Sequence, residues 1–360
     1  MRIIVVGAGM QGRVIARNLR ERDEKPEVTC VDIREPESLP KGVTFQKADV
    51  LDAKQAQQLA KGADAMVLAV PSEISHDALD NLIAAGATVA DVSFTPDPPL
   101  GLHDKAVKSG ACCLVDCGIA PGLSHVLAGR AHAELGGLDM LRIWVGGMPQ
   151  NPPAVFKHAV YFNPHDLVAE YVRPARARRQ GQNIDPHPLD VPFERFQDAE
   201  LGELEAFLSD GLRSLLTSYP DVPEMAELTL RWPGHLETMK NLREMGFFEE
   251  AAASRAVGTT IGTRYPAHKY PDVLVMFVEA KRGNKSLSWR LIDRRTNEES
   301  AMSRTTGFTT AATAMLLARK QFTTPGVHPP EHLGKDKSLV DTIVNDLNDR
   351  GVKVSEMVAV

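Results

Sequence analysis

Three stretches carry the groups with which this chain can do chemistry. Gly7, Gly9 and Gly12 form G-x-G-x-x-G, the spacing of a turn that cradles a dinucleotide pyrophosphate. Gly7 permits the turn, Gly9 lets the phosphates approach the backbone, and Gly12 lets a helix pack closely on a strand. The amides of Met10 and Gln11 at the helix start then face the phosphates. The second stretch, Asp116-Cys117-Gly118-Ile119-Ala120-Pro121-Gly122, sets a carboxylate before a Gly/Pro turn. Asp116 there can hold a ligand's polar group, or it can cap the turn. The third, Arg231-Trp232-Pro233-Gly234-His235, puts a guanidinium and an imidazole beside a turn. His235 can move protons near neutral pH or serve as a hydrogen-bonded structural residue. Arg231 suits a substrate carboxylate.

The elements that must position these groups follow from the pattern. Ile3 to Val6 is an apolar β-run that enters the glycine turn, and Arg13 to Leu19 continue it as a helix. Val28 to Ile33 is a second strand, ending with Asp32 20 residues beyond Gly12. A carboxylate at that place accepts the adenosine ribose hydroxyls and repels a 2′-phosphate, which favours NAD. Arg34 argues the other way, because a guanidinium there can hold that phosphate. Val43 to Asp49 reads as a third strand; Asp49 is placed for the adenine edge, or as the N-cap of an Asp52 to Ala60 helix. Ala63 to Val70 is a buried parallel strand stopped by Pro71. Helices over 74–85 and 102–109 alternate with strands over 88–93 and 111–117. This alternation predicts a Rossmann-type, doubly wound parallel sheet, in an α/β fold. Ligands of such sheets lie outside the carboxyl strand ends, where Pro71, Ser93, Phe94, Asp116 and Cys117 fall.

Beyond about residue 138 the regular alternation stops. Strands over 141–145, 155–162, 273–280 and 287–293, with helices over 123–134, 201–216 and 236–245, predict a second α+β domain with a mixed or antiparallel sheet. Gly146 to Pro153 reads as a connection. The basic run from Arg173 to Arg179 reads as a hairpin, a solvated edge or a carboxylate-binding fork. Ser303 to Arg319 is a long helix, and Ser338 to Val354 a terminal helix with a short extension. The expected division is 1–120 for the dinucleotide, 121–302 for substrate and dimer contacts, and 303–360 for helices returning to the first domain.

Composition bounds the classes. The 360 residues include 43% apolar and 24% charged, an ordinary globular balance, with a formal charge of −6. That charge offers no attraction to nucleic acid, and no apolar run reaches the ~20 residues of a membrane helix. Without a signal-like start, a cytoplasmic protein is expected. Cys30, Cys112, Cys113 and Cys117 read as buried thiols, and no C-x-x-C or H-E-x-x-H pattern calls for a metal.

The chain resembles the saccharopine dehydrogenase-like family, and within it the branch of lysine 6-dehydrogenases. The resemblance spans almost the whole chain. It rests on the amino-terminal glycines, 90–94, Asp116 through Ser124, Tyr171-Val172-Arg173-Pro174-Ala175-Arg176, 207–213, 230–236 and 302–309. It implies hydride removal from the ε-carbon of L-lysine onto NAD, giving allysine, which cyclises, and ammonia, in a homodimer. On that reading Asp116 or His235 takes the proton of the ε-ammonium. Arg231, Arg173 or Arg213 holds the α-carboxylate, and Ser93 lies beside substrate and nicotinamide. The competing readings are an NADP-dependent saccharopine reductase-like enzyme and a dinucleotide sensor without turnover.

Overall fold

The computed structural model describes residues 1–95 and 97–357, so the last three residues of the 303–360 segment lie outside it. The amino-terminal part runs β1 (Arg2–Val6), α1 (Met10–Arg20), β2 (Glu27–Asp32), β3 (Thr44–Lys47), α2 (Ala53–Ala60) and β4 (Ala65–Leu68). It continues with α3 (Ser72–Ala84), β5 (Thr88–Asp91), α4 (His103–Ser109), β6 (Cys112–Leu114) and α5 (Leu123–Leu135). Ile3 to Val6 are at most 2% exposed, as a strand covered on both faces requires. The Asp52 carboxylate accepts the amides of Lys54 and Gln55 and so caps α2. Capping therefore falls to Asp52 rather than Asp49, whose Oδ1 accepts the amide of Leu51.

The middle of the chain supplies β7 (Met140–Pro149), α6 (Pro164–Val172), β8 (Ala177–Arg179), β9 (Gln182–Ile184), β10 (Glu194–Asp198) and β11 (Gly202–Ser209). Then come α7 (Leu215–Ser218), β12 (Glu224–Arg231), α8 (His235–Glu244), α9 (Ala251–Arg264), β13 (Asp272–Arg282) and β14 (Lys285–Arg294). The chain ends with α10 (Ala301–Ala318), β15 (Gly326–His328), α11 (Lys337–Asp349) and β16 (Lys353–Met357).

Two compact units result. The first comprises Met1–Ala133 and Ser303–Gly351. Its seven-stranded sheet has the order β15-β6-β5-β4-β1-β2-β3, parallel throughout. The order reverses at β1, the point at which such sheets receive ligands. The second unit, Glu134–Met302 with β16, holds a mixed sheet in the order β10-β11-β12-β7-β13-β14-β16. Only β7 and β12 run parallel along that path. Residues alternate faces along a strand, so Trp144, Leu228 and Leu230 build a core on one face of this sheet. Phe207 joins α6, α8 and α9 in a core on the other.

Four expectations change. Residues 201–216 hold the strand β11 and a short helix, because Leu204, Ala206 and Leu208 repeat every second residue. Val155 to Phe162 is irregular chain, with Phe156 and Val160 packed among the helices. Gly146 and Gly147 lie within β7 instead of a connection; a Cβ on Gly146 would come 2.6 Å from the Leu230 carbonyl oxygen of β12. The terminal helix stops at Asp349, and 353–357 is a strand paired with β14. Among the described residues no helix is long and apolar enough to cross a membrane.

Candidate functional site

In the first unit the glycine turn is built from backbone clearances. A Cβ on Gly7, whose φ is +100°, would lie 2.1 Å from the Ala69 oxygen, and one on Gly12 would lie 1.9 Å from the Gly7 oxygen. Those two glycines are demanded by the protein itself. Gly9 differs: its φ is −70°, and a Cβ there would meet no protein atom within 4 Å. Gly9 is the N-cap of the 11-residue α1 and provides no side-chain cap. The site therefore combines an uncapped helix start with clear space above Gly9, which fits a pyrophosphate. The Asp32 carboxylate is drawn into the same turn: Oδ2 accepts the amide of Ala8 at 2.9 Å, and Oδ1 accepts that of Arg34 at 3.1 Å. Met10 is 57% exposed beside this turn, whereas the Gln11 side chain donates to the Ser303 carbonyl.

The other carboxyl strand ends of the first unit are tied together. Ser93 is buried; its amide donates to Asp91 Oδ1, and its Oγ accepts the amide of Val70 at 3.2 Å. Pro71 follows as the N-cap of α3. Asp116 is buried with φ +54°, a left-handed conformation in which Asp is one of the few tolerated side chains. The Cys117 amide donates to the Asp91 carbonyl, and Thr310 Oγ donates to the Cys117 carbonyl. Burial pushes the four thiols up, Cys30 and Cys112 to about 11.

In the second unit, a polar network occupies the sheet face that carries Phe207. Arg231, the last residue of β12, donates from Nε to the Tyr171 hydroxyl at 2.8 Å and from a terminal nitrogen to Glu170 at 2.6 Å. Another terminal nitrogen donates to the Leu230 carbonyl. The Tyr171 hydroxyl, with its oxygen accepting from Arg231, donates to His235 Nε2 at 2.8 Å, and His235 Nδ1 donates to the Phe156 carbonyl at 2.7 Å. Donor and acceptor directions thus fix one neutral tautomer of His235. Both ring nitrogens are engaged inside the unit, and burial, with Arg231 nearby, lowers its ionisation to about 3. The unfolded chain binds a proton near pH 6.5 that the folded one refuses, so stability falls as pH drops from about 6.5 toward about 3. His235→Gln is expected to flatten that part of a melting-temperature profile. A slope equal to the wild type would assign the acid sensitivity elsewhere.

The remaining arginines divide by role. Arg176 grips Asp210 with two nitrogens, at 2.8 and 3.0 Å, and the partly exposed Arg173 stands 3.5 Å from the same carboxylate. Arg213 is buried, with φ +44°. Arg178 knits the β8–β9 hairpin to the chain by donating to the carbonyls of Leu216, Tyr219 and Pro220. The basic run is therefore a hairpin whose middle arginine is structural and whose β8 pairs with β12. A cavity of about 320 Å³, lined by Arg142, Arg179, Glu194 and Glu224, lies by the opposite sheet face.

Sequence reasoning assigned no role to Glu170, His158 or Glu227, nor to Tyr171 and Asp210, although the last two lie in the motifs that carry the resemblance. One signal was present: Glu227, Thr229 and Arg231 alternate with Leu228 and Leu230, the mark of a strand with polar groups on one face. Among the described residues no group of three or more His, Cys, Asp and Glu is arranged to hold a metal.

Comparison with known proteins joins these two halves. Residues 3–114 match the model of the saccharopine dehydrogenase NADP binding domain, and 118–352 that of the saccharopine dehydrogenase C-terminal domain. The alpha-aminoadipic semialdehyde synthase of Arabidopsis thaliana is 24% identical over 243 residues, which are 62% of this chain and 23% of that protein. The saccharopine dehydrogenase [NADP(+), L-glutamate-forming] of Schizosaccharomyces pombe is 22% identical over 302 residues, 79% of this chain and 65% of that one. The chain thus spans less than two thirds of either relative. In structure, the apo saccharopine dehydrogenase (L-Glu forming) of Saccharomyces cerevisiae superposes with a TM-score of 0.80 at 15% identity, covering 99% of this chain and 100% of that one. The C. glutamicum DAP dehydrogenase in complex with DAP reaches 0.50 at 13% identity, covering 98% and 99%. These structural likenesses concern the fold. With a glycine turn and Asp32 in a parallel sheet, a second unit of mixed sheet, and family models matching both, the chain belongs to the saccharopine dehydrogenase family.

Proposed function

We propose that this protein is an NAD-dependent dehydrogenase that oxidises the ε-amino group of L-lysine, releasing ammonia and allysine, which cyclises, and that it works as a homodimer. The reading rests chiefly on Asp32. Its carboxylate, fixed by Ala8 and Arg34, is the group that accepts ribose hydroxyls and opposes a 2′-phosphate. Gly9 and the first amides of α1 would hold the pyrophosphate. When bound, the dinucleotide supplies the hydride acceptor.

The chain's own residues do the rest. Oxidation at the ε-carbon needs a free amine lone pair, so the ammonium must first give up a proton; Asp116 is the proposed acceptor. His235, its ring nitrogens held by Tyr171 and Phe156, acts as a positioning residue behind Arg231. The α-carboxylate is assigned to the arginines of this unit, Arg173, Arg213 or Arg231, of which Arg231 donates to Tyr171, Glu170 and a carbonyl. Water must then reach the imine carbon.

The second reading, an NADP-dependent saccharopine-forming or saccharopine-cleaving enzyme, draws support from the S. pombe relative. One experiment separates them: follow reduced cofactor with L-lysine plus NAD, with L-lysine plus NADP, and with saccharopine. NADH from lysine alone supports the proposal, and dependence on saccharopine supports the second reading. Tight NAD binding without turnover points to a sensor. In the same assay Asp32→Ser is expected to weaken NAD by roughly 10- to 100-fold and to admit NADP. Unchanged discrimination would remove Asp32 as its source.

A further inference from the structure

The mixed sheet of the second unit has a cavity on the face away from Arg231, and the chemistry above does not touch it. Its volume is about 320 Å³, at the small end of the ~300–1,000 Å³ of ligand sites. Parallel register sets Met140 and Arg142 of β7 beside Glu224 and Ala226 of β12, so these side chains share one face with Leu228. The floor is apolar: Ala177, Leu208 and Leu228 are at most 4% exposed, and Ala226 packs against the first two. Five charged residues line the cavity, and three of them are spent. Arg142 gives a terminal nitrogen to both oxygens of Glu194, at 2.6 and 2.5 Å. The buried Arg178 donates to Asn183 and to the carbonyls of Leu216, Tyr219, Pro220 and Val222, a cation satisfied without a carboxylate. Two groups remain. The exposed Arg179 guanidinium has no hydrogen bond or ion pair among the described residues. Glu224 uses one oxygen, which accepts the Gln180 amide at 2.7 Å, and keeps the other open. The antiparallel pairing of β8 with β12 sets Arg178 opposite Met225, so Arg179 and Glu224 are the next pair, yet they do not bond to each other.

We propose that this cavity binds a small apolar α-amino acid, at a site distinct from the glycine turn and from the Arg231 network. Its α-carboxylate goes to Arg179, whose donors are unspent, and its α-ammonium to the open oxygen of Glu224, both bonds being charge-assisted. The apolar side chain then covers the floor of Ala177, Leu208, Ala226 and Leu228. Only a zwitterion satisfies both open groups at once. A plain carboxylic acid leaves Glu224 unmet, and a plain amine leaves Arg179 unmet. A side chain ending in an ammonium is disfavoured, because it would bring a second cation onto an apolar floor beside the buried Arg178. The site uses none of the residues assigned to the dehydrogenase reaction, so it stands or falls independently of that reading.

L-Leucine, titrated by calorimetry into the whole protein, is expected to bind saturably with a dissociation constant below ~1 mM; no saturable heat up to ~10 mM overturns the proposal. Leucinamide and 4-methylpentanoate keep the side chain and lose one charge each, and both are expected to bind at least ~10-fold more weakly. Three variants place the ligand. Arg179→Gln and Glu224→Gln each remove one open charge and are expected to weaken leucine by roughly tenfold, and Ala226→Leu fills the floor and is expected to abolish binding. Arg179→Gln carries a sharper signature: it should no longer distinguish leucine from leucinamide. Leucine bound equally by the wild type and all three variants sits elsewhere, which overturns the idea. Should Ala226→Leu fail to fold, the exposed Arg179→Gln decides alone, by keeping or losing that discrimination. Sedimentation of the same proteins gives a second readout: variants that alter assembly but bind leucine as the wild type does would assign the cavity to contact between copies and overturn the ligand site. Turnover of L-lysine is expected to be unchanged in Arg179→Gln. Leucine bound in this manner by a protein that oxidises no amino acid would overturn the proposed function and leave the site standing.

Discussion

Gly12→Ala is expected to cripple the first unit, whereas Gly9→Ala is expected to leave it folded and unable to hold a dinucleotide. The difference comes from what each missing Cβ would touch. At Gly12 it would sit 1.9 Å from the Gly7 carbonyl oxygen and 3.0 Å from its carbon, both backbone atoms of the turn between β1 and α1. Neither can move without shifting β1 or α1, so the cost exceeds the ~1–3 kcal/mol of ordinary overpacking. At roughly 2–4 °C per kcal/mol for a unit of this size, a loss of about 10 °C or more in melting temperature follows. At Gly9 the added methyl enters space clear of protein, at a φ of −70° that any residue adopts. The apo melting temperature is expected to stay within about 1 kcal/mol equivalent of the wild type, while NAD affinity falls at least ~10-fold because the pyrophosphate can no longer approach. Calorimetric melting and NAD titration of both variants check this. If Gly9→Ala binds NAD as the wild type does, the phosphates lie elsewhere.

The same contrast explains how much could be read beforehand. The first unit was legible almost element by element, because buried parallel strands are written as apolar runs closed by Gly or Pro. Ile3 to Val6 before Gly7 and Ala65 to Leu68 before Pro71 are examples. The second unit mixes signals. The strand β12 carries Glu227, Thr229 and Arg231 inward, so its polar half resembles a loop, and Arg231 to His235 was read as one. In fact Arg231 ends a strand, His235 begins a helix, and Gly234, with φ +91°, makes the corner. β7 runs through Gly146 and Gly147 because neighbouring side chains and backbone occupy the place of their Cβ atoms. Nothing local announces that contact.

The chemistry divides similarly. Residue type was enough to select Asp32, Arg231 and His235. Their partners were not visible, because Tyr171 lies 60 residues from Arg231 and 64 from His235. A side chain's role depends on which of its donors are already used. Arg231 looks from the sequence like a fork offered to a ligand, but in the fold three of its nitrogens already donate within the unit.

Replacing Arg231 is accordingly expected to damage folding before it damages binding. The side chain is 2% exposed and its guanidinium lies 5.6 Å from the centre of the Phe207 ring. Arg231→Met removes the charge but keeps bulk, leaving Glu170 without its cation and the Tyr171 oxygen without its donor. With the Glu170 side chain 28% exposed, breaking this part-buried pair from one side costs less than the ~3–5 kcal/mol of a fully buried one, still a large share of the ~5–15 kcal/mol that holds a typical domain together. Arg231→Lys keeps one charge, but a single ammonium cannot reproduce the planar fork that serves Tyr171, Glu170 and Leu230 together, and ~1–3 kcal/mol is expected to be lost. Urea unfolding of the three proteins gives these differences directly. Pairing Arg231→Met with Glu170→Gln in a double-mutant cycle then isolates the coupling, expected to be well above ~1 kcal/mol because one buried network contains both groups. The alternative makes an opposite pattern. If Arg231→Lys unfolds like the wild type but raises the KM for the amino acid tenfold or more with kcat unchanged, the guanidinium is a substrate contact, because that split marks lost binding shared by ground and transition states. The carboxylate would then fall to Arg231 rather than to Arg173 or Arg213.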